Sequence, residues 1–263
     1  MKMMIILLLS ITLLMGDSVM ANRSEHINIT VVYDNNPYKA GLETAWGFSC
    51  LVKGTDKTIL FDTGGDGSLL LRNMKALGID PKEIDLIFLS HIHGDHVGGL
   101  HGILERNPKV NVYLPRSFPE SFKDAVKHYG AKVVEIQGSL KICEDVYSTG
   151  ELGTWIKEQS LIIRTDKGLI VITGCAHPGI IEVVNKAKDL IKGDVLLVMG
   201  GYHLGGKSKG GIECIISDFM KLGVRYVGPC HCTGDKARQL FEKEYQRNYI
   251  DAGVGKVIDI RYQ

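Results

Sequence analysis

The sequence lacks an excess of charge of either sign. Its 263 residues carry 31 Lys and Arg against 30 Asp and Glu, which gives a formal net charge of +1. A chain without a strong net field has no general attraction for nucleic acid or for an anionic membrane surface. We therefore expect a small-molecule substrate and no nucleic-acid partner. The oligomeric state stays open.

The chain is also poor in features that divide a protein into separate units. It has only 7 prolines, no Ser/Pro-rich linker and no repeat of solenoid length. An apolar fraction of 44% excludes a disordered chain. Glycine is abundant instead, with 31 residues in 263 against a usual share of ~7%. This composition predicts one sizeable domain with many tight turns.

The apolar run at the N-terminus is too short for an ordinary membrane span. Residues 3–15 follow Lys2 and are 13 in number, whereas a span needs ~20 apolar residues. Val19 and Ala21 supply the small residues that precede a signal cleavage site. We predict a signal peptide over residues 1–21, a single domain over residues 22–263, and export to the periplasm or medium without a stable membrane span. An uncleaved N-terminal anchor is the alternative.

The six cysteines do not form a dense framework. In an exported protein an even number usually indicates disulfides, but these are scattered over about 180 residues of the chain. Cys230 and Cys232 are separated by a single residue, a spacing too short for an easy mutual bridge. The pairing stays open.

Strands and helices alternate in two similar halves. The first half has predicted strands at Ile27–Tyr33, Trp46–Val52, Thr58–Phe61, Leu86–Leu89 and Val110–Leu114, with helices at Ser68–Leu77, Val97–Glu105 and Glu120–Tyr129. The second half has strands at Leu161–Arg164, Leu169–Ile172, Val195–Met199 and Val224–Val227, with helices around Ile180, Ile212 and Ala237. This order predicts an α/β (α+β) fold in which two mixed sheets pack together with helices outside.

Histidines concentrate where strands end. Six of the nine lie in or beside loops that follow predicted strands: His91, His93, His96, His177, His203 and His231. The loop over residues 91–96 holds three of these histidines. In an extended loop, side chains two residues apart point the same way, so His91 and His93 can bind one metal ion. Gly94 allows a turn that lets Asp95 and His96 face a second ion. Imidazole and carboxylate donors suit zinc, with manganese or iron as alternatives.

The loop His91-Ile92-His93-Gly94-Asp95-His96 resembles the signature of the metallo-β-lactamase fold superfamily. That resemblance implies a four-layer αββα sandwich and metal-dependent hydrolysis. The segments Gly174–Ile180, Gly200–Leu204 and His231–Gly234 are similar to a narrower branch named after 7,8-dihydropterin-6-yl-methyl-4-(β-D-ribofuranosyl)aminobenzene 5'-phosphate synthase. The branch name is a weak guide to substrate, because one fold hosts many reactions.

The resemblance implies a site with two divalent metal ions and a function for several further residues. It assigns His91, His93 and His177 to the first ion, and Asp95, His96 and His231 to the second. His177 comes later in the chain than the superfamily's usual third ligand. Asp62 resembles the aspartate that orients a ligating histidine.

Two residues depart from the superfamily pattern or stay open. Cys175 stands where a metal-bridging aspartate is usual, and it either binds the second metal or packs beside it. His203 is a metal ligand, a proton donor or a substrate contact. We assign catalytic roles to Asp95, which can orient the nucleophile, and to His203.

These features favour an exported hydrolase that uses a metal-activated water on a small, anionic ester, lactone or phosphoester. The alternatives are a dihydropterin-type transferase and a metal-containing binding or signalling protein with little turnover. A di-iron oxygen reductase and a true β-lactamase are less favoured hypotheses. The loop over residues 205–211 carries two lysines that could close over an anionic substrate, but a solvated, flexible loop is favoured. Core packing is expected for Trp46, Phe48 and Trp155, with the lining of a pocket as the alternative.

Overall fold

A computed structural model describes residues 26–261 of the chain. The predicted signal peptide, residues 1–21, lies outside the described residues. The division into a signal peptide and a single domain over 22–263 therefore stays a prediction.

The first sheet has seven strands in the order β13-β1-β2-β3-β4-β5-β6. Its strands are β1 (His26–Asp34), β2 (Phe48–Lys53), β3 (Ile59–Phe61), β4 (Leu86–Phe88), β5 (Asn111–Pro115), β6 (Lys132–Ile136) and β13 (Val257–Arg261). Strands β3 to β6 pair in parallel, while β13, β1, β2 and β3 pair antiparallel. The sheet is therefore mixed, as the alternation of elements predicts.

The second sheet has six strands in the order β12-β11-β10-β9-β8-β7. They are β7 (Leu140–Cys143), β8 (Val146–Ser148), β9 (Leu161–Thr165), β10 (Gly168–Thr173), β11 (Val195–Gly201) and β12 (Tyr226–Cys230). Strands β10, β11 and β12 are parallel, and the other pairs are antiparallel. Each sheet thus has a parallel half, whose strands all end at one edge.

Helices cover the outer face of each sheet. Helices α1 (Gly67–Ala76), α3 (Leu100–Leu104) and α4 (Glu120–His128) pack on the first sheet, and α5 (Ile180–Ile191), α6 (Lys209–Lys221) and α7 (Asp235–Tyr245) pack on the second. In β10, Ile170 and Ile172 face the other sheet, whereas Leu169 and Val171 face the helices. Both faces are buried, because parallel strands have helices on one side and a sheet on the other. The predicted four-layer αββα sandwich is confirmed.

Several local predictions were wrong. The single helix predicted over Val97–Glu105 is divided into α2 (Gly94–Val97) and α3. The strands β6, β7, β8 and β13 were missed, because β6, β7 and β13 are partly exposed and β8 has only three residues. Phe48 is buried as expected, but Trp46 is 59% exposed and Trp155 is 96% exposed, so neither tryptophan packs in the core.

Within residues 26–261, no helix combines the length and apolar character that crossing a bilayer requires.

Candidate metal centre

The candidate site lies where the parallel strands of both sheets end. From the first sheet, β3 leads to Asp62, and β4 leads to Ser90 and His91. From the second sheet, three strands lead to the histidine loops that contain His177, His203 and His231. The segment after β4 and the segment before β9 connect the two sheets here, because Gln159 donates from its backbone N to Ser90 O at 3.0 Å and from its side chain to Leu89 O at 2.8 Å. The site is therefore built across two sheets.

Four side chains at this edge sit on left-handed backbone. Asp62, Ala176, His203 and His231 have φ between 49° and 57°. A residue other than glycine adopts this region at an energetic cost, and such residues concentrate at functional sites. The turns redirect each chain segment within one residue after its strand, so that the side chains converge.

The first donor group consists of His91, His93 and His177. A ligand atom from each lies within 4.8 Å of the others, and the three ring centroids are 4.6–4.8 Å apart. His91 is fully buried, while His93 and His177 are half-buried. The structure thus gathers the three residues assigned to the first ion, although His177 is distant from the others in sequence.

The second donor group consists of Asp95, His96 and His231. Their ligand atoms also lie within 4.8 Å of one another. His231 Nε2 is 3.3 Å from Asp95 Oδ2 and 3.2 Å from His96 Nε2. All three residues assigned to the second ion are therefore together. Metal binding by either group stays a prediction.

Cys175 lies between the two groups. Its Sγ is 3.2 Å from His96 Nε2, and it belongs to clusters with His91 and with His177 within 4.8 Å. The thiol is buried, with 3% of the residue exposed. This central position is compatible with a donor to either ion, or to both.

A buried network orients the histidines on the side of the first sheet. Asp62 accepts from His96 Nδ1 at 2.7 Å and from Ser90 Oγ at 2.7 Å. Ser90 Oγ lies 2.9 Å from His91 Nδ1, and since its own proton goes to Asp62 it acts there as the acceptor. Both rings therefore carry their proton on Nδ1 and direct an Nε2 lone pair into the site.

Two orienting residues were missed by the sequence analysis. Glu158 accepts from His177 Nδ1 at 2.8 Å, and Asn35 Oδ1 lies 3.0 Å from His231 Nδ1. Glu158 precedes His177 by 19 residues and Asn35 precedes His231 by 196. Neither belongs to a recognisable motif, so only the folded chain reveals these pairs.

The donor groups fit a divalent metal. His91 Nε2 is buried and has no hydrogen-bond partner within the described part of the chain. Asp95 Oδ2, His96 Nε2 and His231 Nε2 converge at mutual distances of 3.2–3.7 Å, and one cation could bind all three atoms. Imidazole, carboxylate and thiol donors are also the usual ligands of zinc and related ions.

The electrostatics keep His91, His96 and Asp95 in their ligating forms, whereas the pKa of His231 is raised because burial is outweighed by its hydrogen bond to Asp95 and by nearby acidic groups. Burial lowers the pKa of His96 to about 3, with a further contribution from His231. Burial and the neighbouring His96 also lower the pKa of His91 well below its ordinary value. Burial alone would raise the pKa of Asp95, but the hydrogen bond to His231 and the nearby imidazoles outweigh it and lower that pKa. Neutral imidazoles and an ionised carboxylate are the forms that bind metals.

The open side of the site carries three further side chains. The exposed ring of His203 lies 4.7 Å from that of His177, centroid to centroid. The thiol of Cys232 lies within 4.8 Å of Cys175 Sγ in a cluster that includes His231. Trp46 tilts over His231 with ring centroids 4.9 Å apart. A substrate that reaches the donor groups would meet these residues.

Other candidates lie away from the site. His101, which the sequence analysis did not count as a ligand, contacts Tyr129 and Glu105 on the surface. All six cysteines have free thiols, so no disulfide joins the residues described here. Gly94 has no positive φ, so the turn at this position does not depend on a left-handed glycine.

Comparisons with known proteins agree with this architecture. The family model described as the metallo-beta-lactamase superfamily matches residues 47–231. The chain is 31% identical to the 7,8-dihydropterin-6-methyl-4-(beta-D-ribofuranosyl)-aminobenzene-5'-phosphate synthase of Methanocaldococcus jannaschii, over 87% of this chain and 95% of that protein.

Two solved structures extend the comparison. The crystal structure of Tm1679, described as a metal-dependent hydrolase of the beta-lactamase superfamily, superposes with a TM-score of 0.76 at 29% identity and covers 90% of this chain and all of that one. The short form of human tRNase Z superposes with a TM-score of 0.59 at 16% identity, covering 89% of this chain and 99% of that one. The second likeness concerns the fold alone.

Proposed function

The chain belongs to the metallo-β-lactamase superfamily, and we propose that it is an exported metal-dependent hydrolase with a two-metal centre. The observation that carries the proposal is the convergence of two donor groups on one buried thiol, with Nε2 of His91 in the first group left without a hydrogen-bond partner among the described residues. A solely structural histidine cluster would satisfy that nitrogen within the protein. Export rests on the sequence of residues 1–21 alone.

The residues would divide between two ions, for which zinc is the first choice and manganese or iron are alternatives. His91, His93 and His177 would hold one ion, and Asp95, His96 and His231 the other, with Cys175 available to both. When bound, such ions supply an activated water nucleophile and polarise a carbonyl or phosphoryl group.

Asp95 and His203 would perform the proton chemistry. The Asp95 side chain is 22% exposed, so its carboxylate can orient a nucleophilic water by accepting a hydrogen bond. His203 is exposed, and hydrogen bonding to Cys232 raises its pKa above the usual value. An imidazole that keeps its proton near neutral pH can donate it to a leaving group.

A small, anionic ester, lactone or phosphoester fits this centre best. The loop that follows His203 exposes Lys207 before α6 begins, so a cationic side chain lies close in sequence to the open side of the site. The Methanocaldococcus relative is named for a phosphorylated molecule, which supports an anionic substrate here. We propose no nucleic-acid partner, because the net charge is only +1.

A transferase is the second candidate function. The relative that favours it is a synthase by name and aligns with 87% of this chain. Hydrolysis and group transfer differ in whether water or a second substrate attacks. The proposed export favours hydrolysis, since synthesis of a pterin cofactor belongs in the cytoplasm.

The test combines metal content with a substrate screen. We would measure metal per chain by mass spectrometry after purification without added metal, for wild type, for Cys175→Ser and for Cys214→Ser. Cys214 is exposed on α6 and serves as the matched thiol control. We expect two ions in wild type and in the control, fewer in Cys175→Ser, and turnover of an ester, lactone or phosphodiester.

Other outcomes would change the assignment. Less than one ion per wild-type chain would contradict the two-metal centre and favour a binding protein. Metal without hydrolysis of any such substrate would favour the transferase.

A further inference from the structure

One buried carboxylate organises the loop that carries two of the proposed metal donors. Glu158 is 1% exposed and lies at the end of a short bridge with Leu152. Its Oε1 accepts from the hydroxyl of Thr173 and from the backbone N–H groups of residues 174, 175 and 176, at 2.8–3.1 Å. Its Oε2 accepts from both the backbone N and Nδ1 of His177, at 2.9 and 2.8 Å.

The loop is shaped around this carboxylate as around a bound anion. Ala176 adopts φ of 57°, and alternation of backbone handedness lets successive N–H groups point to one concave side. Six donors thus converge on two oxygens. A carboxylate satisfies this arrangement because it accepts at both oxygens and donates at neither.

We propose that Glu158 is a positioning residue that prepares His177 and Cys175 together for metal binding. By accepting the Nδ1 proton it fixes the imidazole of His177 in the tautomer whose Nε2 lone pair faces His91 and His93. By holding the backbone N of Cys175 it fixes the segment that places the thiol 3.2 Å from His96 Nε2. The proposal rests on the proposed function insofar as a metal must bind there.

His177 is thereby distinguished from His231, the donor that follows the last strand of the second sheet. His177 has a charged acceptor, whereas His231 has the neutral amide of Asn35 at the corresponding ring nitrogen. A carboxylate acceptor makes the opposite ring nitrogen the stronger donor. A single side chain consequently acts on a ligand of the first ion and on the thiol shared by both.

The substitution Glu158→Gln tests whether the carboxylate of Glu158 sets the tautomer of His177. An amide offers one accepting oxygen, so its NH2 group must face one set of N–H donors. If the oxygen stays with the loop, the NH2 group faces His177. The imidazole then avoids a donor–donor contact by moving its proton to Nε2, and the backbone N–H of His177 loses its acceptor. That tautomer cannot ligate through Nε2.

We would titrate metal-free wild type, Glu158→Gln and Glu158→Asp with zinc, and assign the His177 tautomer by 15N NMR. We expect wild-type His177 to be protonated on Nδ1, and Glu158→Gln to show Nε2 protonation with first-site affinity reduced about 10–100-fold. Glu158→Asp retains the charge and should recover part of the affinity.

A matched control separates positioning from general stability. Lys123→Met removes a buried ammonium of α4 that pairs with Glu120 in the same helix and with Glu135 in β6. It should lower the melting temperature while leaving the zinc titration unchanged. The inference is overturned if Glu158→Gln loses only stability, or if His177 in wild type is protonated on Nε2, a result that needs no variant. Failure of wild type to bind zinc would instead refute the proposed function itself.

Discussion

Substitution by alanine is expected to have opposite effects on stability at Gly94, within the loop His91–His96, and at Gly99, just after it. A Cβ on Gly94 would have no heavy atom within 4 Å, apart from its own neighbours, and its φ is not positive. A Cβ on Gly99 would lie 2.0 Å from the carbonyl oxygen of Thr63. Thr63 donates from both its backbone N and its hydroxyl to His96 O, at 2.7 and 3.0 Å. Any movement of Thr63 therefore displaces a proposed ligand.

The two substitutions are expected to change the free energy of unfolding differently. Because backbone must shift to admit the methyl group, Gly99→Ala should destabilise the fold by about 1–3 kcal/mol or more. For a domain of this size that lowers the melting temperature by about 2–12 °C. Gly94 is the first residue of α2, so alanine there should be neutral or stabilising by up to about 1 kcal/mol, since it restricts the unfolded chain.

Thermal and urea unfolding of metal-free protein, followed by zinc titration, measure both effects. Gly94→Ala should bind zinc as wild type does, and Gly99→Ala should bind it more weakly. The reasoning would be refuted if Gly94→Ala were the more destabilised variant, or if Gly99→Ala unfolded and bound zinc as wild type does.

Three further predictions concern removal of zinc, the acceptor Asn35 and the exposed ring of Trp155. Zinc at 100 times its dissociation constant should stabilise the protein by about 2.7 kcal/mol for each ion bound, so chelation should lower the melting temperature by about 5–11 °C per ion; equal melting curves with and without chelator would contradict a metal centre. Asn35→Ala removes the acceptor for His231 Nδ1 and should weaken second-site zinc binding about 10–100-fold, with the first site as internal control in the titration. Trp155→Ala should change the unfolding free energy by less than about 0.5 kcal/mol, because the residue is 96% exposed; a larger loss in urea unfolding would mean that the ring is packed.

Much of the fold was predictable because it depends on local patterns. Buried strands such as Leu86–Phe88 and Val195–Gly201 are short apolar runs, and α5 repeats its apolar residues at helical spacing. The strands that were missed lie at or near the far edge of a sheet, as in Lys132–Ile136 and Leu140–Cys143, where exposure weakens the apolar pattern. The central strands of a sheet can be predicted from sequence because burial on both faces requires apolar residues.

The candidate donors were also predictable one by one. The loop from His91 to His96 concentrates four donors in six residues, and His177 and His231 follow strands directly. Their grouping into two sets around Cys175 required the resemblance to a known superfamily, because strands from two sheets supply them. Whether these residues bind metal stays a prediction.

The sequence by itself determined the four layers and the strand ends that carry the histidines, because periodicity and loop composition are local properties. Only the tertiary structure decided which partner each imidazole has. Glu158 reaches His177 and Asn35 reaches His231 from distant positions, and Trp46 and Trp155 lie on the surface rather than in the core. Such contacts depend on how strands from both sheets are brought to one edge, and a hydrogen bond forms wherever geometry permits, regardless of separation along the chain.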